Sequence, residues 1–249
     1  MKVLISGING HMGLILEKMV REDDKLTLVC GVDKSGEKKD IPLFHSFDEV
    51  NVDIDIIVDF SHHSLTKELL DFCIAKNKPA VIATTGQTDD EKNLINEAAK
   101  KIPIFFAANY SVGIAVLIEA AKKVAKEMKN ADIEIVETHH NRKIDAPSGT
   151  ALKIANELKE VRTDAQFVCG RNGNKKREKN EIGINSIRLG NVVGVHEILI
   201  STEHECISLK HEAYDRGLFA EGAINAIKFM KEQKAAKLYG MKDMLVIKS

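Results

Sequence analysis

With 249 residues, 44% of them hydrophobic and 29% charged, the chain is long enough for one large domain or two ordinary ones around a real core. Lys and Arg number 36 against 37 Asp and Glu, a net charge of -1, so the basic excess that nucleic-acid binding needs is missing. No apolar run approaches the ~20 residues of a membrane span.

The chain starts Met-Lys-Val-Leu-Ile-Ser-Gly, too short an apolar run for a secretory core. Cys30, Cys73, Cys169 and Cys206 form no C-x-x-C pair. A cytoplasmic protein with buried, reduced thiols is expected. In chain order, Lys2–Ser6 reads as a strand and His11–Glu22 as a helix. Strands follow over 26–32, 54–59, 79–83 and 103–107, with helices over 64–76 and 89–101. Short Val- and Ile-rich runs alternating with amphipathic stretches predict a parallel sheet covered on both faces, the Rossmann-type doubly wound α/β class.

Between the first strand and first helix lies Gly7-Ile8-Asn9-Gly10-His11-Met12-Gly13. Glycines belong there if the backbone must turn tightly, approach a pyrophosphate and pack a helix closely on a strand. The G-x-x-G-x-x-G spacing is a variant of the commoner fingerprint, and its context strengthens it. Asp33 ends the second predicted strand, 20 residues after Gly13, where a carboxylate accepts from ribose hydroxyls. Lys34 beside it suits a 2′-phosphate, so NADH and NADPH both stay open.

Near Asn109 the pattern changes. A helix over 114–128, a strand over 132–138 and a helix over 150–160 precede a polar loop over 170–183. Three runs then follow, 184–189, 193–200 and 205–211, which read as antiparallel neighbours. A long helix over 217–234 closes the chain. This predicts a second α+β domain with a mixed or antiparallel sheet over 109–217. The first domain, 1–108, would be completed by 218–249. The segment from Glu137 to Ala151 is the densest in chemistry. His139 and His140 suit proton transfer, Lys143 a carboxylate, and Ser148 or Thr150 a helix cap beside an anion site. Read by residue type alone, a strand end with one ring in and one out is equally open. A metal pair is poorly served by adjacent rather than i, i+4 histidines, and no metal is expected.

The run E-x-H-H-x-x-K-x-D-A-P-S-G-T-A, matched at every defined position, resembles the dihydrodipicolinate reductase family. The likeness extends to the glycine loop, Asp59-Phe60-Ser61, Thr84-Thr85-Gly86, the run from Ala108 to Gly113 and the run from Arg188 to His196. The resemblance implies reduction of 4-hydroxy-tetrahydrodipicolinate (or its dehydrated form) to tetrahydrodipicolinate by NADH or NADPH, in the diaminopimelate route to lysine. It implies His139 as proton donor or acceptor and Lys143 as second donor, with His140, Gly149 and Thr150 on the carboxylates of a small cyclic dicarboxylate. Gly7, Ile8, Asn9, Gly10, His11, Met12, Asp33 and Lys34 would hold the dinucleotide. Ala83, Thr84, Thr85, Ala107, Ala108, Asn109 and Tyr110 would line its nicotinamide end. A homotetramer is also implied, as is closure between domains with hinges near Asn109 and Gly217. The chain departs from the family pattern at His11 (usually Arg or Lys), at His62 and His63 (where a proline is common) and at Val195 (usually Glu). Three rivals remain: an amino-acid dehydrogenase on the same scaffold, a sensor without turnover, and an RNA-binding protein using Lys175, Lys176 and Arg177.

Overall fold

The computed structural model describes residues 1–37 and 40–245, which divide into two compact units, Met1–Ser111 with Gly217–Met244, and Val112–Arg216. The first unit runs β1 (Lys2–Ser6), α1 (His11–Glu22), β2 (Thr27–Val32), β3 (Leu43–Phe44), β4 (Ile56–Asp59), α2 (Thr66–Lys76), β5 (Ala80–Ile82), α3 (Asp89–Ala99) and β6 (Ile104–Phe106). The second holds α4 (Val112–Glu127), β7 (Asp132–His139), α5 (Gly149–Lys159), β8 (Gln166–Cys169), β9 (Glu181–Arg188), β10 (Gly194–Ser201) and β11 (Cys206–Ala213). The chain then returns to the first unit as α6 (Gly217–Met230), β12 (Leu238–Tyr239) and α7 (Met241–Met244).

The first sheet is all parallel, in the order β12-β6-β5-β4-β1-β2-β3. Its central strands are buried on both faces, Ile56–Asp59 and Ala80–Ile82 completely so, which is why they read as continuous apolar runs rather than alternating ones. Strand order reverses at β1, between β2 and β4, and in sheets of this kind ligands bind beyond the strand ends at such a reversal. Leu4, Ile57, Ile82 and Ile104 anchor the core against Leu69, Cys73 and Ile95 of α2 and α3.

The second sheet has the order β11-β10-β7-β9-β8. β7 pairs in parallel with β9 and antiparallel with β10. The three late runs are therefore not successive antiparallel neighbours as expected: β7 inserts between β9 and β10, and only β10 and β11 form that pair. One face, carrying Ile133, Ile135, Ile184, Ile198 and Ile200, packs on Leu117, Ile118, Ile154 and Leu158 of α4 and α5.

Other boundaries moved for local reasons. The closing helix ends at Met230 rather than at 234, because residues 231–237 offer good helix formers but no large apolar side chain to bury, Ala235 and Ala236 both being exposed. β9 begins at Glu181, three residues early. There Arg177 donates to the Glu181 and Ile133 carbonyls and to the Asp132 carboxylate, so its guanidinium ties the polar loop to the sheet rather than offering a nucleic-acid contact. Cys30 and Cys73 are buried, burial pushing the Cys30 thiol up to about 12, whereas Cys169 and Cys206 are exposed, against expectation. Among the described residues no helix is long and apolar enough to cross a membrane.

Candidate active site

In the first unit the chain leaves β1 at Gly7, whose φ of +76° suits glycine, and whose added Cβ would stand 2.6 Å from the Phe60 carbonyl oxygen. A Cβ on Gly13 would come within 2.0 Å of the Gly7 oxygen, and one on Gly10 within 3.2 Å of it. The three glycines thus let the turn fold tightly on itself and let α1 start close to the strand. α1 has neither a side-chain cap nor an acidic residue in its first turn. Its leading N–H groups and positive dipole end are left for an anion. By contrast α3 is capped by Thr88 with Glu91, and α5 by Ser148.

Beside this turn lies a cavity of about 360 Å³. Of the predicted cofactor residues, Gly7, Gly10, Asp33 and Lys34 line it. The Asp33 carboxylate accepts from the Asn9 amide at 3.0 Å and the Ser35 amide at 3.3 Å, which ties the end of β2 to the glycine turn. Ile8 is wholly buried, Met12 half-buried and His11 exposed at the start of α1. Much of the remaining wall comes from His45, Ser46 and Phe47 and from Phe60, Ser61, His62, Ser64 and Leu65. Sequence reasoning missed that wall, because a two-residue strand and a short helical turn carry no periodic signal. A glycine cradle, an uncapped helix start and a carboxylate on one cavity fit a dinucleotide.

The other predicted nicotinamide residues sit at the ends of β5 and β6. The Ala83 and Thr84 amides donate to the Asp59 carbonyl at 2.9 and 3.0 Å, and the Thr84 hydroxyl donates to the Asp59 carboxylate at 2.6 Å. Burial pushes Asp59 up, against hydrogen bonds from the Ser61 and Thr84 hydroxyls. Ala107 is buried, and Thr85 and Ala108 are exposed. Asn109 accepts from the Ser111 amide at 2.8 Å. Tyr110 is buried and donates to the Ile82 carbonyl at 2.9 Å, so its phenol is committed to the fold. At the unusual loop after β4, the His63 ring bonds Glu91 of α3 at 3.0 Å, a tie between elements that a proline could not make.

In the second unit, side chains on β7 alternate, and the face that carries Ile133 and Ile135 continues with Glu137 and His139. Glu137 is fully buried. Its carboxylate takes both Arg188 Nη atoms at 2.8 and 2.9 Å, the Ser148 amide at 3.1 Å and His139 Nδ1 at 2.5 Å. Burial would raise Glu137, but Arg188, Ser186 and His139 outweigh it and hold the carboxyl at about 2. Removing one partner of such a buried pair costs about 3–5 kcal/mol. The His139 ring stands over Gly194, where a Cβ would come within 3.1 Å of Nε2, and lies edge-on to His196 at 5.2 Å.

Ser148 caps α5 by accepting from the Ala151 amide at 3.1 Å, and its hydroxyl is 3.2 Å from His196 Nε2. Gly149 and Thr150 open the helix beyond it. His140 is half-buried, and burial lowers its pKa, followed by the charges of Arg142, His139, Arg216 and Lys143. Lys143 pairs with Asp145 at 2.8 Å, holding that carboxyl below its usual range. An ion pair this exposed is worth about 0–1 kcal/mol, so another carboxylate can replace it. The arrangement gathers cations and helix N–H groups around one imidazole fixed by a buried carboxylate. Glu137, Arg188 and His196 had no assigned role in the sequence reading. Their signal was a charged or titratable residue on the apolar face of a strand.

Burial pushes His196 down to about 4 from 6.5. The unfolded chain therefore binds a proton that the folded one refuses. Stability is full above pH 6.5 and falls as pH drops toward about 4, by on the order of 3 kcal/mol. Urea unfolding between those pH values should show that slope, and His196→Gln should flatten it by roughly 1 kcal/mol per pH unit. Equal slopes in both proteins would contradict this.

Residues 1–110 match the family model described as dihydrodipicolinate reductase, N-terminus, and residues 113–245 match the one described as its C-terminus. The chain is 42% identical over 247 residues to a 4-hydroxy-tetrahydrodipicolinate reductase of Clostridium tetani, covering 98% of this chain and 96% of that one. It is 41% identical to that of Caldanaerobacter subterraneus, covering 98% of each. Among solved structures, the dipicolinate-bound dihydrodipicolinate reductase from Paenisporosarcina superposes with a TM-score of 0.84 at 28% identity, covering 98% of this chain and 99% of that one.

Proposed function

The chain belongs to the dihydrodipicolinate reductase family, and on that premise we propose how its own residues carry out the reaction. It is an oxidoreductase that reduces 4-hydroxy-tetrahydrodipicolinate to tetrahydrodipicolinate with a nicotinamide cofactor, in the diaminopimelate route to lysine. Water is lost as the hydroxyl leaves C4 and a proton leaves the neighbouring ring carbon, giving a double bond conjugated with the imine. A hydride then adds at C4, the electron pair moves to the ring nitrogen as an enamine, and a proton returned to the neighbouring carbon restores the imine. When bound, the reduced nicotinamide supplies the hydride.

The glycine turn and the start of α1 hold the pyrophosphate, with Gly7, Ile8, Asn9, Gly10, His11 and Met12 forming the cradle. Asp33 accepts from the adenosine ribose and Lys34 meets a 2′-phosphate, so both NADH and NADPH serve. Ala83, Thr84 and Thr85, with the backbone from Ala107 to Tyr110, line the nicotinamide end. His140, Gly149 and Thr150 hold the ring's carboxylates at the start of α5. Lys143 exchanges Asp145 for a substrate carboxylate and donates a second hydrogen bond. His139 delivers the proton. The observation that carries this reading is the imidazole of His139 fixed on buried Glu137 beside the capped start of α5.

The protein is cytoplasmic and assembles as a homotetramer through its second sheet. Exposed Ile187 on the face turned from α4 and α5 supports the latter. A coupled assay tests the activity: pyruvate and aspartate semialdehyde are condensed in situ, and oxidation of the nicotinamide is followed. Oxidation should require both precursors and the condensing enzyme. Oxidation with free amino or keto acids in their place would favour an amino-acid dehydrogenase instead.

A further inference from the structure

Among the groups around His139, Glu137 is the one whose chemistry allows a single answer. An ionised carboxylate only accepts hydrogen bonds, and Arg188 together with the Ser148 amide keeps Glu137 ionised and immobile. The imidazole nitrogen that faces it must therefore carry hydrogen. We propose that Glu137 is a positioning residue for proton transfer, holding hydrogen on Nδ1 of His139 so that Nε2 is the nitrogen that gains and gives up the transferred proton. Arg188 is its counterweight, fixing the carboxylate while tempering its charge. The inference rests on the reading of His139 as the proton-transfer group.

Three observations support it besides the contacts themselves. Glu137 has no exposure at all, so its charge acts on the ring with little water to screen it. Gly194 leaves open the side of the ring that carries Nε2, where any larger residue would press on that atom. His196, edge-on to the ring, has its pKa pushed down by burial and stays neutral at working pH, adding no charge to compete. The titratable and charged groups around His139 are Glu137 and His140 on its own segment, Arg188 on β9 behind Glu137, and His196 on β10 with His211 opposite it on β11, while Lys143 and Asp145 pair with each other on the following loop. Among the described residues, Glu137 makes the hydrogen bond to the ring that defines its tautomer.

The test is an imidazole titration by nitrogen NMR on the full-length protein, run alongside the pH profile of kcat. In the wild type the neutral ring should be the Nδ1–H tautomer. Removing the carboxylate charge in Glu137→Gln should move the His139 midpoint and the kcat profile to lower pH, by about one unit. Removing the guanidinium in Arg188→Met should move both to higher pH by a similar amount, because the carboxylate then acts unopposed. The double variant, with no buried charge left alone, guards against a single variant failing to fold, and its midpoint should lie between those of the two single variants. A neutral wild-type ring protonated on Nε2, or variants that lose kcat with unmoved profiles, would overturn the proposal. Failure of the reductase reading would look different: a wild type without turnover whose imidazole titration still reports on Glu137.

Discussion

Replacing His139 with asparagine is expected to lower kcat by about 10²–10⁴-fold while KM for the cofactor stays within about twofold. Asparagine can still donate to Glu137 from the place of Nδ1, so the buried pair of Glu137 and Arg188 keeps its partners. It has nothing at the place of Nε2, so the proton route alone is removed. A loss of that size is about 3–5 kcal/mol of transition-state stabilisation, the scale of a positioned acid. Steady-state kinetics, with a melting curve to show that the fold is retained, checks it. Near-normal turnover in the asparagine variant would take His139 out of the chemistry.

Lys143→Ala should damage binding and rate together. Among the described residues the lysine pairs with the exposed Asp145, at 2.8 Å. A charge-assisted hydrogen bond to a substrate carboxylate is worth about 1.5–3 kcal/mol, or roughly 10–10²-fold in KM for the dicarboxylate. Loss of its donor in the reaction should lower kcat by at least about tenfold more. Lys143→Arg would keep the charge but place it on a planar fork, so KM should recover further than kcat. A Lys143→Ala protein with unchanged KM for the dicarboxylate, measured at saturating cofactor, would show that the lysine serves only Asp145.

The parts of this architecture that repeat locally were readable from the chain. Runs such as Ile56–Asp59 are apolar throughout because both faces are covered, and the glycines from Gly7 to Gly13 stand where close approach forbids a side chain. What depends on pairing between distant strands was not. Glu137 meets Arg188 across 51 residues and Ser148 meets His196 across 48, contacts fixed by the order of strands in the second sheet. No local period encodes that β7 inserts between β9 and β10. The histidine and lysine of the second unit were legible because their types are chemically conspicuous. The carboxylate beneath the histidine was quoted as part of a motif, yet only its burial shows what it does. β3 and β12, two residues each, are too short for any pattern to mark.

The most direct test of the account follows hydrogen itself. With cofactor deuterated at C4 of the nicotinamide and the ring substrate made in situ, the tetrahydrodipicolinate formed by the wild-type protein should carry deuterium at ring C4. In heavy water with ordinary cofactor, the label should instead enter at the neighbouring carbon. Cofactor oxidised without label reaching the ring would contradict the account, because the hydride would then be going elsewhere.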